Sequence, residues 1–115
     1  MTALTTEVVA RIRRMVKTTP VLVFMRGTPR QPRCHSSAML SRLLSNISAG
    51  IRFVDIQQDP EIRAFLPKVA GVADIPLLFV NGELLGGADV AADLAEQGEL
   101  ERILLESMPD QRLVG

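Results

Sequence analysis

The sequence predicts one α/β domain, in which about five helices flank a mixed sheet of four strands. Helical and strand-like hydrophobic patterns alternate along the whole chain, which is typical of such an architecture. Near the end, two strand patterns are joined by Asn81-Gly82, the strongest short signal for a β-hairpin. The chain has 115 residues, 47% of them hydrophobic, which suits a single packed domain over residues 1–115.

The first half of the chain predicts two helices and two strands. Residues 5–17 carry apolar side chains at helical spacing, and the apolar run 20–25 predicts a fully buried strand. A loop with one glycine and two prolines follows over 26–33, and a second helical pattern runs over about 34–46. Residues 51–56 predict the second strand.

The second half begins with a strong helix start. Asp59 is a favourable N-cap and Pro60 a favourable first helical residue, so a helix is expected from there to about Val69. Two strands over 76–85 then form the predicted hairpin.

Two short helices and a tail complete the chain. Adjacent glycines follow the hairpin, helices are expected over about 89–96 and 99–106, and a loose tail is expected over about 108–115. The resulting order is αβαβαββαα. A parallel βαβ unit, followed by a helix and a hairpin, matches the arrangement of the thioredoxin fold.

Charge and hydropathy exclude several classes of partner. The formal net charge is zero, which favours neither nucleic acid nor an anionic membrane as a partner. The apolar runs are too short to span a bilayer, and the N-terminal residues predict an amphipathic helix, not a signal peptide. A chain with a single cysteine suits a reducing compartment, so a cytoplasmic location is expected.

The only cysteine, Cys34, is the first candidate for chemistry. One thiol excludes a disulfide within the chain and a structural zinc site built on several thiolates. The remaining roles are a buried core residue, a nucleophile, a mixed-disulfide partner or a ligand shared between two subunits. Cys34 lies where a loop meets a helix, and Arg26, Arg30 and Arg33 precede it closely. The helix dipole and these charges favour the thiolate, the form that attacks disulfides and binds metals.

Three segments of the chain resemble the monothiol glutaredoxin family. They are VLVFMRGTPRQPRC, FVDIQQDPEIRAFLPKVAG and IPLLFVNGELLGGADV. The family's pattern is a Lys-Gly-Thr-Pro loop, a proline and then Cys-Gly-Phe-Ser, and the similarity covers about residues 5–105. The resemblance implies the thioredoxin fold and a glutathione site beside the thiol.

The resemblance also implies which residues hold glutathione. Arg26 and Arg63 would bind the glycine carboxylate, where Arg26 replaces the family's lysine and keeps its charge. Ile75, before an expected cis-proline, would offer backbone hydrogen bonds to the tripeptide. Ala88 and Asp89 would meet the γ-glutamyl end. Helix N-capping alone would equally explain Asp89, and solvated surface positions would explain the two arginines.

Members of the family bind a [2Fe–2S] cluster at this site. Each of two subunits supplies one cysteine and one glutathione thiol, so the resemblance implies Cys34 as the metal ligand of a cluster-bridged homodimer. Such proteins hand clusters to iron–sulfur acceptor proteins, and many have BolA-like partners.

The sequence departs from the family's pattern directly after the cysteine. Cys-Gly-Phe-Ser is replaced by Cys34-His35-Ser36-Ser37. The imidazole of His35 can point into solvent, clash with a cluster, donate a hydrogen bond to the thiolate or act as an alternative ligand. Ser36 removes an apolar contact that phenylalanine would make.

A second departure precedes the expected cis-proline. The family's Trp-Pro-Thr is replaced by Val72-Ala73-Asp74, and the glutamine after the proline is Leu77. Asp74 brings a carboxylate near the expected carboxylates of glutathione, and a like charge at about 4 Å costs on the order of 1 kcal/mol in water. Weakened glutathione and cluster binding is therefore expected, unless Asp74 pairs with one of the site arginines.

Three functions remain open from the sequence. The first is a glutathione-dependent [2Fe–2S] carrier, and the second is a monothiol oxidoreductase in which Cys34 attacks a glutathionylated disulfide. Ser37 stands where dithiol relatives have their second cysteine and cannot resolve a disulfide. The third is a degenerate thioredoxin-fold module that has lost the cluster and binds glutathione or a protein. A cysteine-based arsenate reductase shares the Cys-x-x-Ser helix start, but the NGELLGGAD segment disfavours it.

Overall fold

The computed structural model describes residues 3–47 and 50–107. In chain order, the elements of this part are α1 (Ala3–Thr18), β1 (Val21–Met25), α2 (His35–Leu44), β2 (Arg52–Asp55), α3 (Pro60–Ala70), β3 (Leu77–Val80), β4 (Glu83–Gly86), α4 (Ala88–Glu96) and α5 (Leu100–Glu106). A single 3₁₀ turn, Ile56–Gln58, joins β2 to α3.

The strands form one mixed sheet in the order β2-β1-β3-β4. Strand β1 runs parallel to β2 and antiparallel to β3, and β3 pairs antiparallel with β4. The turn between β3 and β4 places Asn81 at φ 51° and Gly82 at φ 85°, the positive values that a two-residue hairpin requires. The predicted thioredoxin fold, with its hairpin, is therefore confirmed.

The sheet divides the core into two layers, and β1 serves both. All five of its residues are buried, as its continuous apolar run predicted. Val21, Val23 and Met25 pack with α2, α4 and α5 on one face. Leu22 and Phe24 pack with α1 and α3 on the other face, where the Phe24 ring meets the Phe79 ring edge to face. The loop that follows β1 therefore starts from a rigid central strand.

Helix α3 begins as the sequence predicted. Asp59 is the N-cap and accepts the backbone N–H of Ile62 at 3.1 Å, and Pro60 is the first helical residue. An ion pair adds a long-range contact, because the guanidinium of Arg11 lies 3.2 Å and 3.3 Å from the two carboxylate oxygens of Asp59. This contact joins α1 to α3 and lowers the pKa of the Asp59 carboxyl.

Some predicted boundaries shift. The second strand ends at Asp55, not at residue 56, because the Asp55 carboxylate accepts the Gln57 N–H at 2.9 Å and starts the 3₁₀ turn. Helix α2 begins one residue later than predicted and ends at Leu44. The predicted tail over 108–115 lies outside the described residues. Within the described ranges, no helix is long and apolar enough to cross a membrane.

Candidate functional site

Cys34 is the N-cap of α2. Its backbone is extended, with φ −152° and ψ 161°, and its sulfur accepts the backbone N–H of Ser37 at 3.4 Å. A cap side chain fills this position because the first N–H groups of a helix have no partner within the helix. The side chain is half-buried. The reactive atom of the predicted site is thus held by the first turn of the helix.

The hydroxyl of Ser37 gives the sulfur a second partner. Ser37 is fully buried, and its Oγ lies 3.1 Å from Sγ of Cys34. The same Oγ accepts the backbone N–H of Arg26 at 3.1 Å. A hydroxyl has one proton and two lone pairs, so Ser37 accepts that N–H and can still accept from the Cys34 thiol or donate to its thiolate. The sequence did not indicate that Ser37 contacts the Cys34 sulfur, because the Arg26 N–H that binds the Ser37 hydroxyl is 11 residues away from Ser37 in the chain.

These contacts change the acidity of the thiol. Partial burial raises the pKa of Cys34, because it disfavours the charged form. The hydrogen bonds from the Ser37 side chain and backbone, followed by the charge of Arg26, outweigh burial and hold the pKa below its usual range. The sequence predicted a favoured thiolate correctly, and the structure adds Ser37 as the main cause.

The loop between β1 and α2 is tightly closed by hydrogen bonds. The Arg33 N–H donates to the Arg26 carbonyl at 2.9 Å, and the Gly27 N–H donates to the Asp55 carboxylate at 2.9 Å. Gly27 has φ +87°, and a Cβ there would collide with the Gln31 carbonyl. The loop therefore has one compact arrangement that presents Arg26 and Arg33 beside Cys34.

An open groove of about 490 Å³ adjoins this loop. Three of the predicted glutathione residues, Arg26, Arg63 and Ile75, line it together, and so do Arg33 and Gln57. The peptide bond between Ile75 and the following proline is cis, as the family resemblance implied. A cavity of about 460 Å³ lies elsewhere, against α2 and β2, and contains none of the predicted site residues.

The start of α4 holds the remaining two predicted residues. Ala88 is buried and Asp89 is exposed. The backbone here is close to the cis-proline, since a Cβ on Gly87 would lie 3.2 Å from the Pro76 carbonyl oxygen. Gly87 is the N-cap of α4, and among residues 3–47 and 50–107 no side-chain hydrogen bond caps the helix. The alternative that Asp89 serves as the N-cap is therefore wrong, because Asp89 lies inside the first turn.

Most residues that depart from the family's pattern are exposed, namely His35, Ser36, Val72, Ala73 and Asp74, whereas Leu77 is buried in the core. In the described part of the chain, His35 makes no hydrogen bond to the sulfur of Cys34, whose partner is Ser37. Asp74 forms no ion pair with Arg26 or Arg63 among these residues, so the alternative that it pairs with a site arginine is not found. Val72, at the position of the family's tryptophan, is 42% exposed beside the groove.

The donor set around Cys34 can be compared with what an iron–sulfur cluster requires. In residues 3–47 and 50–107, no group of three or more His, Cys, Asp or Glu side chains could hold a metal ion. A cluster with four sulfur ligands would therefore need three thiolates from outside the described chain. Cys34 fits as the one contributed here, because it is partly exposed and its lowered pKa favours the thiolate.

Comparisons with known proteins agree on one family. Residues 21–85 match the glutaredoxin family. The chain is 37% identical over 99 residues to glutaredoxin 4 of Escherichia coli K12, covering 86% of each chain. It is 38% identical over 100 residues to glutaredoxin 4 of Haemophilus influenzae 86-028NP, covering 87% of this chain and 94% of the relative.

Solved structures share the fold at lower identity. A truncated monomeric mutant of 1-C-Grx1 from Trypanosoma brucei superposes with a TM-score of 0.76 and 26% identity, covering 85% of this chain and 89% of that one. The buckwheat glutaredoxin–glutathione complex gives a TM-score of 0.77 at 21% identity, covering 93% of this chain and 96% of that one. At 21% identity, the similarity to the buckwheat protein shows a shared fold alone.

Proposed function

The chain belongs to the glutaredoxin family, with one cysteine, and we propose that it binds glutathione and a subunit-bridging [2Fe–2S] cluster as a cluster carrier. The observation that carries this proposal is the pairing of a stabilised thiolate with a basic groove. Cys34 has a lowered pKa, and Arg26, Arg33 and Arg63 line a groove of about 490 Å³ next to the loop that precedes it. A cytoplasmic location and a role in redox homeostasis belong to the same proposal.

The groove suits the anionic tripeptide glutathione. Arg26 and Arg63 line it and offer planar guanidiniums, which pair with a carboxylate through two parallel hydrogen bonds. Ile75 lines the same groove, so its backbone can add hydrogen bonds to an extended peptide. Ala88 and Asp89 begin α4, whose positive N-terminal end favours the γ-glutamyl carboxylate.

The cluster would be shared by two copies of the chain. In this proposal Cys34 of each subunit and one glutathione thiol per subunit supply the four sulfur ligands. When bound, the cluster is the cargo that passes to iron–sulfur acceptor proteins. The chain's own residues favour the thiolate form of Cys34, because the hydrogen bonds with Ser37 lower its pKa, and they hold glutathione beside it. A BolA-like protein is the further partner proposed.

Anaerobic reconstitution with iron, sulfide and glutathione tests this proposal. Visible absorption and size-exclusion chromatography are followed together, with Cys34→Ser as the control. We expect cluster absorption in a dimeric peak, which disappears in the control and when glutathione is omitted. A colourless monomer would contradict the carrier and favour a degenerate binding module.

A second candidate is a monothiol oxidoreductase, favoured by the lowered pKa of Cys34. The thiolate would attack the glutathione sulfur of a mixed disulfide, the S–S bond would break, and the substrate thiolate would leave. A second glutathione thiolate would then attack the Cys34–glutathione disulfide, releasing glutathione disulfide and the Cys34 thiolate. Rapid glutathione-dependent reduction of a mixed disulfide by the apo protein would support this candidate, and its absence would reject it.

A further inference from the structure

The groove next to the loop before Cys34 holds one more positive charge than the proposed glutathione site uses. Arg26 and Arg63 are assigned to the glycine carboxylate, and Arg33 lines the same groove. No Asp or Glu is among the described residues that line it. In the part of the chain that the structure describes, none of the three guanidiniums forms an ion pair within 4.0 Å.

The loop backbone keeps Arg33 at the groove. The stem of Arg33 lies across Gly27, because its Cγ is 2.7 Å from the position that a Cβ on Gly27 would take. Its backbone N–H donates to the Arg26 carbonyl at 2.9 Å, which closes the loop. Glycine at this position, with φ +87°, is what permits the close approach. The side-chain stem of Arg33 is thus packed against the loop at a residue that lines the groove.

A single carboxylate cannot use all three arginines. It has two oxygens with about four lone-pair sites, and two guanidiniums that each bind through a fork occupy all of them. A third guanidinium then has no acceptor on the ligand. Like charges gathered in one groove also repel one another unless anions offset them. The groove is therefore complementary to an anionic group with more charge than the glycine end of glutathione carries.

Stabilisation of the thiolate does not account for Arg33. The arginine whose charge lowers the pKa of Cys34 is Arg26, even though Arg33 is the residue next to Cys34 in sequence. Arg33 lines the groove, and its Cγ lies against Gly27.

We propose that Arg33 is a specificity-determining residue that favours thiol ligands ending in two adjacent negative charges, such as a dicarboxylate, over those ending in one carboxylate. The inference rests on the proposed function, since it assumes that the ligand's thiol meets Cys34 while its anionic end lies in the groove.

A competition between two disulfides tests the proposal. The apo protein is mixed with equal amounts of glutathione disulfide and the disulfide of γ-Glu-Cys-Asp, which carries two carboxylates at the same end. The Cys34 thiolate attacks one sulfur, the S–S bond breaks and one tripeptide thiolate leaves, so the mixed disulfides are counted by mass spectrometry. We expect the aspartyl adduct to dominate by about threefold to fivefold, the scale of an exposed ion pair, and less at high salt.

Matched variants separate the effect of Arg33 on the ratio of adducts from the effect of the loop's overall positive charge. Arg33→Gln should bring the ratio of adducts close to one, and Arg33→Lys should give an intermediate ratio because it lacks the planar fork. Arg30→Gln removes an exposed arginine of the same loop that does not line the groove, so it should keep the preference.

Each remaining outcome has a distinct meaning. A wild-type ratio near one, or a preference that survives Arg33→Gln, would overturn the inference while leaving glutathione binding intact. An equal loss of preference in Arg30→Gln would also overturn it, because general charge would then explain the result. If neither tripeptide forms a mixed disulfide with Cys34, the proposed glutathione site fails and the inference fails with it.

Discussion

Helices α2 and α3 both begin with a side chain that accepts the N–H three residues later, but they use this cap differently. At α3, Asp59 accepts from Ile62 at 3.1 Å, and Arg11 contacts both of its carboxylate oxygens. At α2, Cys34 accepts from Ser37 at 3.4 Å, and the Ser37 hydroxyl is its other partner. The pKa of each acid is lowered.

The difference lies in what offsets the negative charge. An oppositely charged side chain faces the Asp59 carboxylate, so its negative charge contributes to joining α1 and α3. Neutral hydrogen-bond donors of its own helix stabilise the Cys34 sulfur, and Arg26 acts on it by charge without an ion pair. The Asp59 cap therefore contributes to the stability of the fold, whereas the sulfur of the Cys34 cap stays available to a ligand or a disulfide.

The largest effect is expected from Ser37→Ala. Removing the hydroxyl removes the strongest of the contacts that lower the pKa of Cys34, so this pKa should rise. Because a hydrogen bond to a charged group is worth about 1.5–3 kcal/mol, the rate of thiol alkylation at pH 7 should fall about tenfold or more. Ser36→Ala, on the exposed neighbour, is the control and should leave the rate unchanged. Equal rates in both variants would show that the hydroxyl does not stabilise the thiolate.

A purely structural effect is expected from Asp59→Ala. The variant loses a helix cap and an ion pair, which together should lower the free energy of unfolding by about 1–2 kcal/mol in urea titrations. The pKa of Cys34 should not change. Asp93→Ala, on the exposed surface of α4, should cost less than about 0.5 kcal/mol. A changed pKa of Cys34 in Asp59→Ala would contradict the conclusion that the two caps have separate roles.

The two caps should act in different ranges of pH. Each acid has a lower pKa in the folded state, so each stabilises fully above its unfolded pKa and loses this contribution as pH falls through its folded pKa. The unfolded values are about 3.9 for Asp and about 8.5 for Cys. In Asp59→Asn, the free energy of unfolding should fall less steeply below about pH 4 than in the wild type. In Cys34→Ser, it should rise less steeply as the pH approaches about 8.5. Urea unfolding at stepped pH measures both, and unchanged profiles would contradict the assignment.

The smallest effect is expected from Arg11→Gln. The cap of α3 remains, and only the ion pair with Asp59 and Glu61 is lost, so the free energy of unfolding should fall by about 0.2–1 kcal/mol. High salt should reduce the difference between variant and wild type. A loss as large as that of Asp59→Ala would mean that the ion pair, not the cap, holds the start of α3.

Local signals predicted the fold well. The cap and proline that begin α3, and the Asn81-Gly82 turn, act through the backbone of a few residues, so the sequence alone shows them. The 3₁₀ turn after β2 was missed, because Asp55 accepts N–H groups from both Gln57 and the distant Gly27. Hydrophobic periodicity contains no signal for such a side-chain contact.

The candidate site was predicted only where a residue's type carried the chemistry. A lone cysteine before a helix, near arginines, was enough to favour a thiolate. The contact of Ser37 with Arg26, like the pair of Arg11 with Asp59, joins residues far apart in the chain. The N-cap role considered for Asp89 failed because Gly87 already takes that position.

The cap of α2 is also the atom that reacts. A bond formed to the Cys34 sulfur replaces an anionic acceptor with a weaker one, so the Ser37 N–H loses part of its hydrogen bond. The hydrogen-bonded first turn of α2 favours the free thiolate over a disulfide-bonded sulfur by a certain free energy. Because such couplings are reciprocal, a disulfide bond at Cys34 destabilises the first turn by the same free energy. Amide-hydrogen exchange at Ser37 would thus report the chemical state of Cys34 from within the helix backbone.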